Sequence, residues 1–304
     1  MARRSAPRRA IRSPRRWLRS LAALVVTLAL LAGLGYGGWR VWQKVDPLFN
    51  VPVNEGCQTT VGGNSYTLDL EQSGNAAIIV AESIRRGLPS RAATIALATA
   101  MQESGLRNLD YGDRDSIGLF QQRPSQGWGT RAQIKDPWYS SGKFYDELVK
   151  VANWQTEDIN DAAQSVQKSG VPDGYRKHID AAKAWASTLT GNSPRALSCV
   201  NRSTDAGRAG ALAATTVKGL ANRATVTAKA TRVPVRSTDA TLVWAGVALT
   251  MASTDTAPIA SATVGTAGWT LDPKQFAAWS TSTGPSSSPS GTTSATTGTV
   301  KVRG

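Results

Sequence analysis

The spacing of hydrophobic residues changes several times along the chain. Residues 20–39 contain no charged side chain and are rich in Leu, Ala and Val. Twenty residues at ~1.5 Å per residue can cross the ~30 Å hydrocarbon core of a bilayer as a helix. We therefore predict an Arg-rich segment over residues 1–19, a transmembrane helix over residues 20–39 and a proline-containing stalk over residues 40–56.

The pattern of residues 57–199 predicts a packed, mainly α domain. A small N-terminal hairpin is indicated where strand-forming residues 59–61 and 65–68 flank Gly62-Gly63-Asn64. Ala76, Val80 and Ile84 then recur at helical spacing. The helix predicted over residues 91–104 is apolar on nearly every side, which is typical of a buried helix. Further amphipathic helices are predicted near residues 144–151, 159–166 and 173–186.

The composition changes after Cys199, where Ala, Thr and Ser dominate. Residues 202–236 have the pattern of a linker or a weak helix, and residues 240–252 that of a packed helix. Strand character occurs in residues 259–270 and 299–302, separated by low complexity over residues 281–297. We expect a tail over residues 200–304 that is partly disordered, or that carries a small α+β unit over residues 239–303.

The charge distribution argues against nucleic-acid binding. The chain has 35 basic and 21 acidic residues, but eight arginines and no acid fall in residues 1–19, while residues 45–200 hold 15 basic and 17 acidic side chains. By the positive-inside rule, the N-terminus is expected in the cytoplasm, with its arginines near anionic lipid, and residues 40–304 outside. A cleaved signal peptide is the alternative, although Gly33-Leu34-Gly35 is a poor cleavage site.

Cysteine and histidine are scarce. One His and two Cys exclude a site built from several imidazoles or thiolates, so we expect neither metal nor cofactor. Cys57 and Cys199 frame the predicted helical domain. In an oxidising exterior they are expected to form a disulfide.

Glu103 is the strongest candidate for chemistry. It ends the predicted buried helix, directly before Gly105. Burial and the negative end of the helix dipole both disfavour the carboxylate, so the pKa of Glu103 is expected to rise. A carboxyl group that keeps its proton near neutral pH suits a general acid at a glycosidic oxygen. A purely structural carboxylate is the alternative.

The residues after Glu103 carry a resemblance. Glu103-Ser104 is followed by Ser-Ile-Gly-Leu-Phe-Gln-Gln-Arg-Pro-Ser over residues 116–125. This combination resembles the lytic transglycosylase and goose-type lysozyme superfamily, with Phe120 in place of Met. Residues 96–145 are similar to a group of actinobacterial membrane-anchored proteins with this fold. The family's Ala-Tyr-Asn-x-Gly motif corresponds to residues 166–170, where Gln167 replaces Tyr, and Tyr175 is the candidate substitute.

The resemblance implies a lysozyme-like fold and cleavage of the MurNAc–GlcNAc β-1,4 bond of peptidoglycan strands by a membrane-anchored enzyme. Glu103 is then the single catalytic residue of a lytic transglycosylase. An inverting muramidase would use Asp113 or Asp115 as a second carboxylate, unless these pair with Arg107 and Arg114. A peptidoglycan-binding protein without activity is a further alternative. The implied substrate contacts are Ser104, Gly118, Leu119, Phe120, Gln121, Gln122, Arg123, Trp128, Gln167 and Tyr175.

Overall fold

Helices and two antiparallel sheets form the protein. The computed structural model describes residues 14–49, 51–221, 223–281 and 297–303. Within these ranges there are nine helices, with 46% of the chain helical, so the fold is mixed α+β rather than mainly α. Contacts divide the chain into two units, residues 1–51 and residues 52–304.

The first unit is one long helix, α1, Pro14–Phe49. Its segment Leu21–Trp42 has a mean hydropathy of 1.9, and every side chain in it is exposed. By length and composition this segment can cross a membrane, and a signal sequence has the same properties. Residues 40–49 are helical rather than part of an irregular stalk, because a helix that has formed extends at little cost per added residue.

A three-stranded sheet joins the two ends of the predicted helical domain. Strands β1 (Gly56–Val61) and β2 (Asn64–Leu68) form the predicted hairpin. Its turn residues Gly62 and Gly63 both have positive φ, 59° and 82°, as a two-residue hairpin turn requires. Strand β3 (Leu197–Val200) pairs with the other edge of β1 and places Cys199 opposite Cys57.

The predicted disulfide is present. Cys57 and Cys199 are bonded across 142 positions of sequence, and both are fully buried. In the chain-entropy model, closing so long a loop stabilises the fold by about 4–5 kcal/mol. We expect reduction to lower the melting temperature by about 10–20 °C, measured by circular dichroism with and without reductant.

The matched control for reduction is the Cys57→Ala/Cys199→Ala variant. It should melt at the lower temperature and no longer respond to reductant. The thiols of the reduced parent protein are titrated to confirm that the bond is broken. If both are free and the melting temperature is unchanged, the bond does not stabilise the fold.

Six helices follow the hairpin, and one lies at their centre. They are α2 (Leu70–Arg85), α3 (Ser90–Ser104), α4 (Arg131–Ile134), α5 (Pro137–Leu148), α6 (Ile159–Gln167) and α7 (Ile179–Leu189). All residues of α3 from Ala92 to Ala100 are buried, and α3 contacts α2, α5, α6 and α7. The prediction of a buried helix is confirmed. It ends at Gly105, whose φ of 63° is typical of a helix C-terminus.

Residues 201–303 are more regular than the sequence indicated. They contain α8 (Ala209–Gly219), β4 (Thr225–Val226), β5 (Arg232–Arg236), α9 (Ala240–Ala252), β6 (Ile259–Val264), β7 (Ala267–Thr270), β8 (Ser280–Thr281) and β9 (Thr297–Val302). The strands form one antiparallel sheet in the order β4-β5-β9-β6-β7-β8. The helix predicted over residues 240–252 is confirmed, whereas α8, β4 and β5 lie where a linker or weak helix was expected. Residues 282–296 of the low-complexity stretch lie outside the described residues.

This C-terminal part packs directly on the helices before it. Helix α8 lies against α2 so closely that a methyl group at Gly219 would stand 2.6 Å from Cβ of Ala81. Helix α9 is buried along most of its length and contacts α2, α7 and the six-stranded sheet. The predicted boundary between a helical domain and a tail at residue 200 is therefore wrong. Residues 52–304 form one unit, because the apolar faces of the segments before and after residue 200 cover each other.

Candidate functional site

Glu103 lies in the last turn of α3 and is partly buried. Burial raises the pKa of its carboxyl group above the usual value. The hydroxyl of Tyr175 and the amide of Gln167 favour the carboxylate and so lower this pKa, but they do not cancel the effect of burial. The structure thus gives Glu103 the raised pKa that its position in the sequence predicted.

Tyr175 is the direct partner of Glu103. Its hydroxyl donates a hydrogen bond to Oε1 of Glu103 over 2.7 Å, although the two residues are 72 positions apart. Tyr175 is fully buried directly before the short 3-10 turn that leads into α7. Burial, together with the negative charge of Glu103, raises the pKa of Tyr175, so its hydroxyl keeps its proton and remains a donor. A phenol therefore faces Glu103 even though Gln occupies the motif position.

Gln167 connects Glu103 to the segment that follows α3. Its side-chain Nε2 donates to the carbonyl oxygen of Phe120 over 2.7 Å, and its amide also acts on Glu103, lowering the pKa of that carboxyl group. Gln167 is the last residue of α6, so its hydrogen bond to Phe120 fixes the end of this helix near Glu103. Gln167 is thus within the candidate site.

The segment over residues 116–125 is fixed against the end of α3. The Ser104 hydroxyl donates to the carbonyl oxygen of Leu119 over 2.7 Å. Phe120 is fully buried and stacks on Phe144 with ring centroids 4.7 Å apart. Gly118 has a φ of 76°, and a Cβ there would lie 3.0 Å from the Ile134 carbonyl oxygen. Gly118, Leu119 and Phe120, which were predicted as substrate contacts, are thus buried inside the protein, and their segment is held against the end of α3.

Three further residues predicted to bind substrate, Gln121, Gln122 and Arg123, make contacts within the protein. Gln121 Nε2 donates to the Tyr111 carbonyl oxygen over 3.2 Å. Gln122 is 1% exposed, and its Nε2 donates to the Ser140 carbonyl oxygen. The Arg123 guanidinium pairs with Asp115 at 2.8 Å. Their polar groups thus hold the loop together.

The two candidate second carboxylates differ from Glu103. Asp115 accepts hydrogen bonds from Arg123 Nε and from the backbone N–H and hydroxyl of Ser125. The Arg123 guanidinium and these donors hold the pKa of Asp115 far below its usual range. Asp113 is 91% exposed, with Arg114 3.9 Å away. Arg107 pairs with Asp69 and Glu71, not with the loop carboxylates as the sequence suggested.

A groove of about 580 Å³ opens beside the site. Gln167, which acts on the pKa of Glu103, lines this groove. Trp128, predicted as a substrate contact, also lines it. The charged residues of its wall were not predicted from the sequence, although Lys143 and Glu147 are at helical spacing on α5 and Lys150 follows the end of that helix. The other lining residues are Gln126, Gly127, Val151, Ser165, Val166 and Lys168.

Comparison with protein-family models and with curated proteins finds no match. Among the residues that the structure describes, no group of three or more His, Cys, Asp or Glu side chains is arranged to hold a metal ion. The single histidine, His178, has Nε2 3.2 Å from Oε1 of Gln102. The chemistry that the geometry offers is proton donation and acceptance at Glu103, next to a groove large enough for part of a polymer.

Proposed function

We propose that this protein is a membrane-anchored, lysozyme-like glycosidase that cleaves the MurNAc–GlcNAc β-1,4 bond of peptidoglycan, with Glu103 as its catalytic residue. The observation that carries the proposal is the contact between Glu103 and Tyr175 at the end of a buried helix, beside a groove. A glycosidase needs a carboxyl group that is still protonated when substrate binds. Burial favours this state at Glu103, because it raises the pKa of the carboxyl group.

The reaction that fits best is transglycosylation. The Glu103 carboxyl group gives its proton to the glycosidic oxygen as the bond from this oxygen to C1 of MurNAc breaks. The resulting carboxylate, hydrogen-bonded by Tyr175, then takes the proton from the 6-hydroxyl of the same MurNAc, whose oxygen bonds to C1. The products are a GlcNAc end and a 1,6-anhydro MurNAc end, Glu103 is protonated again, and no water is consumed.

The loop carboxylates support this choice over inversion. An inverting hydrolase needs a second carboxylate, about 6.5–9.5 Å from the acid, that accepts a proton from water. Asp115 is a weak base, because Arg123 and Ser125 stabilise its charged form. Asp113 is almost fully exposed. A single carboxylate serving in both steps needs neither.

Analysis of the products tests the proposal. The full chain in detergent micelles is incubated with purified sacculi, and the released muropeptides are separated and weighed. We expect fragments that end in 1,6-anhydro MurNAc. Reducing ends would show hydrolysis, and binding without release of fragments would show a peptidoglycan-binding protein without turnover.

The proposed substrate lies outside the cytoplasmic membrane, and the first unit is consistent with that location. The apolar segment Leu21–Trp42 follows eight arginines, which favour a cytoplasmic N-terminus. We infer that α1 stays attached as a single-pass anchor, with its arginines near anionic lipid and residues 52–304 outside.

Protease added to intact cells without their wall should therefore remove most of the chain. The protected fragment should be the N-terminal one, of a size that includes α1, as seen by immunoblotting with tags at both ends. A cytoplasmic protein followed in parallel reports any lysis. Protection of the C-terminal tag would overturn the orientation and, with it, access to the wall.

A further inference from the structure

The groove beside Glu103 carries more positive than negative charge. Its wall contains three lysines, Lys143, Lys150 and Lys168, and one carboxylate, Glu147. Glu147 is already paired with Lys150 at 2.8 Å. Among the described residues, neither Lys143 nor Lys168 has a carboxylate within ion-pair distance, and the ammonium group of Lys143 lies 5.8 Å from the centre of the Tyr139 ring. Two positive charges are thus left for a ligand.

These two lysines come from two different elements that line the groove. Lys143 belongs to α5, and Lys168 directly follows α6. Lys168 is the neighbour of Gln167, whose side-chain amide lowers the pKa of Glu103. Trp128 adds an indole ring from the loop before α4. A strand bound in the groove is therefore offered an aromatic ring and two ammonium groups.

A neutral sugar strand has no group that uses these charges. Sugar rings stack on indole and hydrogen-bond amides, whereas ammonium groups favour anions. We infer that the groove binds the carboxylates of an acidic aminosugar strand through Lys143 and Lys168, and that it selects such strands over neutral ones of equal length. This inference rests on the proposed function for the position of the strand.

Two kinds of carboxylate have this chemistry in a peptidoglycan strand. One is the free lactyl carboxylate of MurNAc itself, and the other is on a peptide attached to the lactyl group. Three hexasaccharide probes separate them: a GlcNAc hexamer, an alternating GlcNAc–MurNAc hexamer with free lactyl groups, and the same hexamer with peptides attached. The first carries no charge, the second carries only sugar carboxylates and the third only peptide carboxylates.

Binding is measured at equilibrium by calorimetry with the full chain in detergent micelles, carrying Glu103→Gln so that the probes stay intact. We expect at least one acidic hexamer to bind about tenfold more tightly than the neutral one, with an advantage that shrinks as salt increases. The Lys143→Gln and Lys168→Gln changes should each remove about two- to fivefold of that advantage and leave the neutral hexamer unaffected. Lys183→Gln, on the exposed side of α7, removes the same charge outside the groove and should change nothing.

The outcomes separate this inference from the proposed function. Equal affinity for neutral and acidic hexamers, or an acidic advantage that survives both lysine changes, overturns the inference even if the parent protein cuts sacculi. Lysine-dependent binding by a protein that releases no fragments keeps the inference and removes the glycosidase proposal. If a lysine variant is unstable, the salt series on the Glu103→Gln protein with both lysines intact is used in its place. An acidic advantage that does not shrink as salt increases would then overturn the inference.

Discussion

The Glu103→Gln variant is expected to bind peptidoglycan strands and to cut them about 10²- to 10⁴-fold more slowly than the parent. Glutamine keeps the size of the side chain and an oxygen that can accept the Tyr175 hydrogen bond, so the fold and the groove should persist. It has no proton to give to the glycosidic oxygen. Turnover is measured as release of soluble muropeptides from sacculi, and binding by co-sedimentation.

Glu71→Gln provides the matched control. It makes the same change at a carboxylate that is 53% exposed and paired with Arg107, and turnover should stay near the parent value. Asp113→Asn and Asp115→Asn complete the series. A transglycosylase tolerates at least one of these and releases anhydro ends, whereas an inverting hydrolase loses activity with its base. Cutting by Glu103→Gln at the parent rate would mean that the site is wrong and would turn attention to Glu147.

Loss of the Tyr175 hydroxyl is expected to have the second largest effect. In the Tyr175→Phe variant, turnover should fall about 10- to 100-fold, because a hydrogen bond to a charged group contributes about 1.5–3 kcal/mol. The hydroxyl stabilises the charged form of Glu103, so its removal raises the pKa of Glu103 further. The alkaline limb of kcat/KM, where Glu103 loses its proton, should therefore move to higher pH.

The Tyr145→Phe variant is the control that separates an effect of Tyr175 on Glu103 from a general loss of protein stability. Tyr145 is also fully buried, and its hydroxyl donates to the Ile79 carbonyl oxygen over 2.9 Å, between α5 and α2. Both variants lose one buried hydrogen bond, but only Tyr175→Phe should change the pH profile. An alkaline limb that stays in place for Tyr175→Phe, or that moves equally in both variants, would show that Tyr175 does not act on Glu103.

Local patterns predicted the elements that surround the site. The run of Ala, Ile and Leu in α3 leaves no polar face and so indicates burial. Gly62-Gly63 between two strand-forming segments allows the left-handed turn that a hairpin needs. The raised pKa of Glu103 followed from the burial of α3 alone, because Glu103 lies in the last turn of that helix and is itself partly buried.

Contacts between distant segments could not be predicted in the same way. Tyr175 reaches Glu103 because α7 packs on α3, and no local period indicates which residue before α7 faces the helix end. Gln122 and Arg123 have side chains that suit sugar recognition and suit loop packing equally. Helix α8 is rich in Ala and Thr, and its order depends on the surface of α2 that it covers.

During synthesis, strand β1 is made long before β3, the second of the two strands that pair with it. It can pair with β2 within a few residues, but β3 is about 140 residues further along the chain. At about 5–20 residues per second, this interval lasts about 7–30 s, during which one edge of β1 is open and Cys57 is a free thiol. The sequence contains no third cysteine, so the only wrong disulfides open to the growing chain are those to another molecule.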